Sequence, residues 1–372
     1  MIGDPIAWFA FAFLGLGLLS PLGETGGWLE RPGDLSAGLV ALAAAIWCAR
    51  RRRPAGLAAG LIVAAAVAIG ALALLRLVAA VGAVGPQALG FWAYLVGLGL
   101  LAWRAMALLA TSASLSTRIN RLLALLVPLL FGAWLITVWQ VLVVGFGVPR
   151  VLLPAPSAIA EVMAGSAATM AADFYQTVIR AVIPGWLIGC GVGFVIALLV
   201  DRVPFLARGL LPLGNFVSAI PIVGIAPIMV MWFGFDWHSK AAVVVIMTVF
   251  PMLVNTIAGL AASGAMERDL MRSYAASYVQ TMVRLRLPSA LPFIFNALKI
   301  NSTLAMIGAI VAEFFGTPIV GMGFRISTEV GRMNIDLVWG TIVIAAVTGS
   351  LFYGLLALLE RAVTFWHPSY RS

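Results

Sequence analysis

Charge is what this sequence has least of. Only 10% of its 372 residues are Asp, Glu, Lys or Arg, 63% are hydrophobic, and mean hydropathy is +1.08. No soluble domain tolerates that composition, which reads as a polytopic membrane protein. The net charge of +9 is then no nucleic-acid signal, because most arginines sit at the ends of apolar runs, as in positive-inside loops. Cysteine is limited to Cys48 and Cys190, far apart inside apolar runs, so they read as small packing residues rather than a disulfide or metal pair. With only His238 and His367, no Cys/His cluster and no H-E-x-x-H, the sequence offers no metal site. It has no G-x-x-x-x-G-K-[ST] phosphate loop, so ATP hydrolysis is not expected of this chain, and no Ser/His/Asp arrangement points to another enzyme activity. Nothing suggests a cofactor. There is no repeat of solenoid type and no low-complexity tract. The start, MIGDPIAWFAFAFLG, lacks a basic leader and a small-residue cleavage pattern and is read as uncleaved.

What is present is a succession of apolar runs. A span needs about 20 apolar residues to cross a hydrocarbon core of about 30 Å. Four candidates come first, at 6–22, 35–49, 55–75 and 88–103, followed by six more at 122–145, 178–200, 211–233, 241–261, 293–315 and 338–359. The basic run Arg50 to Arg53 places the end of the second span in the cytoplasm, as do Arg104, Arg118 and Arg121 for the fourth, and Glu24, Glu30 and Asp34 suit the outside. Both termini are then expected in the cytoplasm. The division expected is an N-terminal set of extra helices over 1–110, a cytoplasmic linker over 111–121, and a second domain over 122–372.

The longest strongly polar interval of the second half is 264–288, GAMERDLMRSYAASYVQTMVRLRLP. Met266, Leu270, Tyr274 and Tyr278 recur every four residues, with Glu267, Arg268, Asp269, Arg272 and Ser273 on the other side, which is helical periodicity ended by Pro288. Flanked by spans, it reads as a folded loop on the inner side. An amphipathic turn lying on the membrane surface has the same pattern.

Polar groups inside the later spans form stripes. On the span from Phe293, Asn296, Lys299, Ser302, Thr303, Met306 and Glu313 fall within about a third of the circumference. Lys299 is expected to snorkel, and Glu313, near the outer end, reads as a surface carboxylate or a helix-end hydrogen bond. Asn215 and Ser218 share a face with Pro221 and Pro227 further on, and Thr248, Pro251 and Asn255 share a face of the next span. Three neighbouring stripes suggest a solute pathway, and bent packing helices are the plainer alternative. Gly185, Gly189, Gly193 and Ala197 form a small-residue ridge for close helix packing.

The loop resembles the cytoplasmic signature of permease subunits of binding-protein-dependent ABC importers: Glu-Ala-Ala, three residues, Gly, nine residues, Ile, one residue, Leu-Pro. Setting Leu287 and Pro288 on its end puts Asp269 at the Glu, Leu270 and Met271 at the two Ala, Ala275 at the Gly and Leu285 at the Ile, without a gap. The stretches LLPAPSAIAEVM, SAIPIVGIAPIMVMWFGF, FPMLVNTIAGL and AEFFG extend the resemblance over 122–372, within the nitrate/sulfonate/taurine-type group. GMGFRISTEVGRMN and WHPSYR are similar to the branch handling thiamine-precursor pyrimidines, other pyrimidines or riboflavin. The resemblance implies an all-α fold, a six-helix ABC importer permease core preceded here by about four extra transmembrane helices. It implies a bacterial inner-membrane importer of a small polar or heteroaromatic solute, with two permease copies (a homodimer), two ATPase subunits and an external solute-binding protein as partners. In it Asp269, Arg272, Ala275, Arg284, Leu285, Arg286, Leu287 and Pro288 belong to the loop that docks on the ATPase, where Arg272, Arg284 and Arg286 would pair with acidic groups. A secondary transporter would need intramembrane carboxylates beyond Glu313, and a membrane scaffold or lipid-modifying enzyme would need a catalytic cluster.

Overall fold

The computed structural model describes residues 4–20, 28–50, 56–112, 117–203, 205–206, 208–209, 212, 220–316 and 319–366. Among them all regular structure is helical. The chain forms two compact units, Met1–Ala160 and Glu161–Ser372.

The first unit holds α1 (Pro5–Leu19), α2 (Pro32–Arg50), α3 (Leu57–Val81), α4 (Leu89–Ala110) and α5 (Thr117–Gly145), with α6 (Pro156–Gly165) at its end. Asp4 caps α1 by accepting from Ile6 N and Ala7 N, while Pro5 fills the first turn, where its missing N–H costs nothing. The same carboxylate pairs with Arg104 of α4, so neither charge stands alone. Glycines bring α1 and α4 together: a Cβ on Gly17 would lie 2.7 Å from Tyr94 N, and one on Gly97 2.7 Å from Leu14 N. Tyr94, Phe91 and Leu98 fill the centre of this unit. The helix expected to open the second domain, α5, lies here, its Trp134 covering Gly99.

The second unit is built on α7 (Ala167–Phe174), a π-helical run Tyr175–Val182, α8 (Ile183–Arg202), α9 (Ile222–Phe233) and α10 (Trp237–Ala261). Then follow α11 (Ala265–Ser273), α12 (Tyr278–Thr281), a π-helical turn Met282–Arg286, α13 (Leu287–Glu313), α14 (Met322–Gly331) and α15 (Ile335–Val363). The glycine ridge of α8 packs on α10 as the sequence suggests. A Cβ on Gly185 would lie 2.7 Å from Val244 Cβ, and Cβ atoms on Gly189 and Gly193 would overlap Thr248 Oγ1 and the Val249 carbonyl. Asn301 of α13 ties the three helices, donating to the Thr248 carbonyl at 2.8 Å and to Cys190 Sγ at 3.2 Å.

Eight helical runs among the described residues are long and apolar enough to cross a membrane, and α1 and α9 are shorter apolar helices. Two expectations change. The span expected over 211–233 is helical from Ile222, and Asn215 and Ser218 fall outside the described residues. Pro288 does not end a helix: it occupies the first turn of α13, after a π turn that absorbs its missing donor. The segments between spans carry short helices of their own, α6 and α7 in one and α14 in another.

Candidate functional site

Between α10 and α13 the polar loop folds into two short helices. α11 has no buried residue. At 100° per residue, Met266, Leu270 and Tyr274 occupy one narrow face, and all three are largely exposed, at 82%, 56% and 77%. Arg268, Asp269 and Arg272 point the opposite way, into a polar recess of about 520 Å³ shared with Tyr278, Thr281 and Arg286. Arg272 reaches Asp269 at 3.3 Å, an exposed contact worth little by itself.

Ala275 ends α11 with φ of +52°, in the left-handed region. Its N–H donates to the Arg272 carbonyl at 2.9 Å and the Ala276 N–H to the Met271 carbonyl at 3.0 Å, the paired bonds of a Schellman stop. A glycine is the residue that geometry favours, which is the physical content of the glycine in the loop signature. Ser277 then starts α12 with a reciprocal capping box: its hydroxyl accepts from Gln280 N, and Gln280 Oε1 accepts from Ser277 N.

Arg286 anchors the loop. Its two Nη atoms form a fork on Asp201 at the end of α8, both at 2.7 Å, and its Nε donates to the Leu260 carbonyl of α10 at 3.1 Å. Tyr278 donates to the same carboxylate at 2.8 Å, and its ring carries the Arg202 guanidinium 4.4 Å away. The expectation that Arg286 faces an acidic partner is therefore corrected: its charge is spent inside the chain. Arg284 is exposed, and Leu285, Leu287 and Pro288 are half-buried.

The stripe of α13 separates into three sets. Near the loop, Asn296 donates to Asn255 Oδ1 at 3.4 Å, and Asn255 donates to the Pro251 carbonyl at 2.8 Å. At mid-helix Lys299, expected to snorkel, is paired with Glu360 of α15 at 2.7 Å instead. Ser302 and Thr248 are buried and return their hydroxyls to the carbonyls of Lys299 and Val244. Thr303 and Met306 line an open groove of about 630 Å³ between α13, α14 and α15, together with Ile326, Ile342, Ser350 and Tyr353. About 40 Å from the loop, at the far end of α13, Glu313 is buried and accepts from Thr177 Oγ1 at 2.8 Å and Gly323 N at 2.6 Å. Asp236, which caps the start of α10, accepts from Trp237 N at 2.7 Å, which holds its carboxyl below the usual range.

Sequence reasoning missed Asp201, Glu360, Asp173, Thr177, Arg325 and Asn301. Asn301 lies on the side of α13 opposite the stripe, and the acids find their partners 61 to 152 residues away in the chain, where no local pattern exists.

Residues 189–365 match the family model described as the binding-protein-dependent transport system inner membrane component. A formylaminopyrimidine transport permease of Halalkalibacterium halodurans is 30% identical over 243 residues, 64% of this chain and 95% of the relative. A probable ABC transporter permease of Haemophilus influenzae is 29% identical over 240 residues, 64% of this chain and 97% of the relative. A putative aliphatic sulfonates transport permease of Bacillus subtilis is 29% identical over 247 residues, 65% and 88% of the two chains. With matches of that extent, and an apolar helical fold carrying the loop just described, the chain belongs to the binding-protein-dependent permeases of ABC importers, multi-pass proteins of the inner membrane.

Proposed function

We propose that this chain is the translocation subunit for a small polar or heteroaromatic solute, such as a pyrimidine or vitamin precursor or a sulfonate- or nitrate-like anion. The transport named for the relatives, of formylaminopyrimidine and of aliphatic sulfonates, supports that range. Two copies enclose the pathway, two ATPase subunits dock on α11 from the cytoplasm, and an external binding protein delivers the solute. The termini lie in the cytoplasm, and the functional core starts with α5, so that 1–110 is an appendage. The pathway runs along the α13 stripe and its groove, past Thr303 and Met306, with Asn255, Asn296 and Glu313 towards its two ends; Thr248 and Ser302 stand behind it, and Asn215 and Ser218 belong to the same proposal.

The observation that carries this reading is the bare apolar face of α11. A nine-residue helix with no buried side chain leaves Met266, Leu270 and Tyr274 in water unless another protein or the membrane surface covers them, and the resemblance of the loop favours the protein. The Arg286–Asp201 fork ties the π turn at the end of the loop to α8 and its Nε to α10, and Tyr278 of α12 holds the same carboxylate, so the loop that carries α11 is anchored on the spans it would move. Ala275→Arg tests the docking. Ala275 is exposed and already left-handed, so arginine adds bulk at the surface without a new backbone demand. Membrane insertion should be unchanged and co-purification with the ATPase subunit lost. Unchanged co-purification removes the docking claim.

A further inference from the structure

The stretch GMGFR, Gly321–Arg325, belongs neither to the loop nor to α13, yet four of its residues are tied by hydrogen bonds to distant parts of the chain. α14 begins there in a socket. Gly321 N donates to Asp173 Oδ1 at 2.8 Å, Met322 N to Thr177 Oγ1 at 2.8 Å, and Gly323 N to Glu313 Oε2 at 2.6 Å. Thr177 in turn donates to Glu313 Oε1, which locks two of the caps together. A helix leaves its first N–H groups without partners inside the helix, and these are usually met by the residues just before it. Here they are met by α7, by the π-helical run and by the end of α13.

Both glycines are needed for that fit. Gly321 has φ of +142°, and a Cβ there would lie 2.8 Å from the Glu313 carboxyl; a Cβ on Gly323 would overlap the Ile310 carbonyl. From the first turn Arg325 doubles back on Asp173, with Nε at 2.8 Å and Nη2 at 3.3 Å, and Glu329 stands 3.7 Å from it. Asp173 is 2% exposed, and its bond keeps Arg325 charged more firmly than a free guanidinium. The other end of α14 is of a different kind. Arg332, Met333 and Asn334 are exposed, Met333 is left-handed at φ +59°, and the chain turns at once into α15. Between latch and turn, Ile326 lines the groove together with Thr303, Met306 and Ile310.

We propose that α14 is the outer gate of the groove, hinged at Gly331–Asn334, and that Asp173 and Arg325 are the positioning pair that keeps it shut. The gate swings when the pair parts and the three N-terminal caps are surrendered together. This rests on the reading of the groove as the solute pathway and of Glu313 as lying at the outer end.

The test uses the full chain with its ATPase subunit in membrane vesicles, Cys48 and Cys190 replaced by alanine, and Thr303→Cys as reporter. A membrane-impermeant maleimide is applied to right-side-out and to inverted vesicles. With the latch intact, labelling from outside is slow. In Arg325→Gln it becomes about tenfold faster or more, since losing one arm of a charge-assisted pair is worth at least that. Arg325→Lys, which keeps the charge, stays close to the parent, and labelling from inside is unchanged throughout. Co-purification with the ATPase at the parental level marks a folded variant, and Asp173→Asn replaces Arg325→Gln if that marker is lost. Outside labelling that stays slow in Arg325→Gln while inside labelling proceeds overturns the gate and leaves the groove standing. Equal acceleration in Gln and Lys variants overturns the positioning role. No labelling from either side, in any variant, overturns the groove as pathway and the gate with it.

Discussion

Ala275 is where one residue's backbone decides what the loop tolerates. Left-handed φ is the ordinary property of glycine at a helix stop; here an alanine holds it, at a cost of about 1 kcal/mol relative to an unstrained site. Ala275→Gly should therefore keep ATPase co-purification and change stability by no more than about 1 kcal/mol in either direction, because relief of strain offsets the added freedom of the unfolded chain. Ala275→Val places a β-branched side chain at the same φ and should cost about 1–3 kcal/mol, with the loop and its partner lost first. Thermal melting of the purified complex checks both, and a valine variant as stable as the parent would show that φ is not what the position selects. The small residue at Ala275 was legible through the resemblance to the loop signature, whose glycine falls on it. The sequence could not make Arg286 legible as an internal anchor, because Asp201 lies 85 residues away and an arginine in a basic loop has the same appearance whether it faces a partner or its own chain.

Elements were easier to read than contacts. The apolar runs announced the spans because a bilayer demands length and hydropathy together, and each run but one is helical over most of its length among the described residues; the run at 211–233 has its helix, α9, from Ile222 on. Their ends were less legible: π-helical turns at Tyr175–Val182 and Met282–Arg286 carry helices past the points where polar residues or a proline suggested stops. The α8 ridge was legible in full, because glycines four apart have one physical use when they lie inside a span. Two substitutions on that helix separate packing from mere helix content. Gly193→Leu drives a side chain into the Val249 carbonyl and Met252 Cβ, and should destabilise at the upper end of the ~1–3 kcal/mol typical of overpacking. Gly191→Leu on the opposite side meets nothing within 4 Å and should be neutral or slightly stabilising. Equal melting temperatures for the two variants would mean that α8 and α10 are not held by that ridge.

At the scale of the whole molecule the question is what the first 110 residues are for, and the bilayer supplies the argument. In water, cutting α1 to α4 away from α5 would bare Trp134 and Leu130 and cost roughly 25 cal/mol for each Å² exposed. In lipid that term vanishes, because acyl chains are as apolar as the helices removed. Among the described residues of these helices, the ion pair of Asp4 with Arg104 leaves as a pair, so neither of those charges is orphaned by the cut. What α5 loses by hydrogen bonding is small: the Gly145 carbonyl, which accepts from Val84 N and Gly85 N, lies at a helix end within reach of water. The second unit keeps its own core, from Val178 and Trp186 to Met306 and Leu356, none of which comes from residues 1–110. Deleting 1–110 should therefore leave a chain that inserts, stays monodisperse in detergent and co-purifies with the ATPase subunit, with a lower melting temperature as the main loss. Degradation of the truncated chain, or a folded truncation that no longer holds its ATPase, would make those helices part of the machine. The surviving outcome would place their role outside the transport cycle, in lipid or in contacts with other membrane proteins, in keeping with a composition that is Ala/Gly/Leu-rich up to about residue 110 and carries its intramembrane prolines and amides after it.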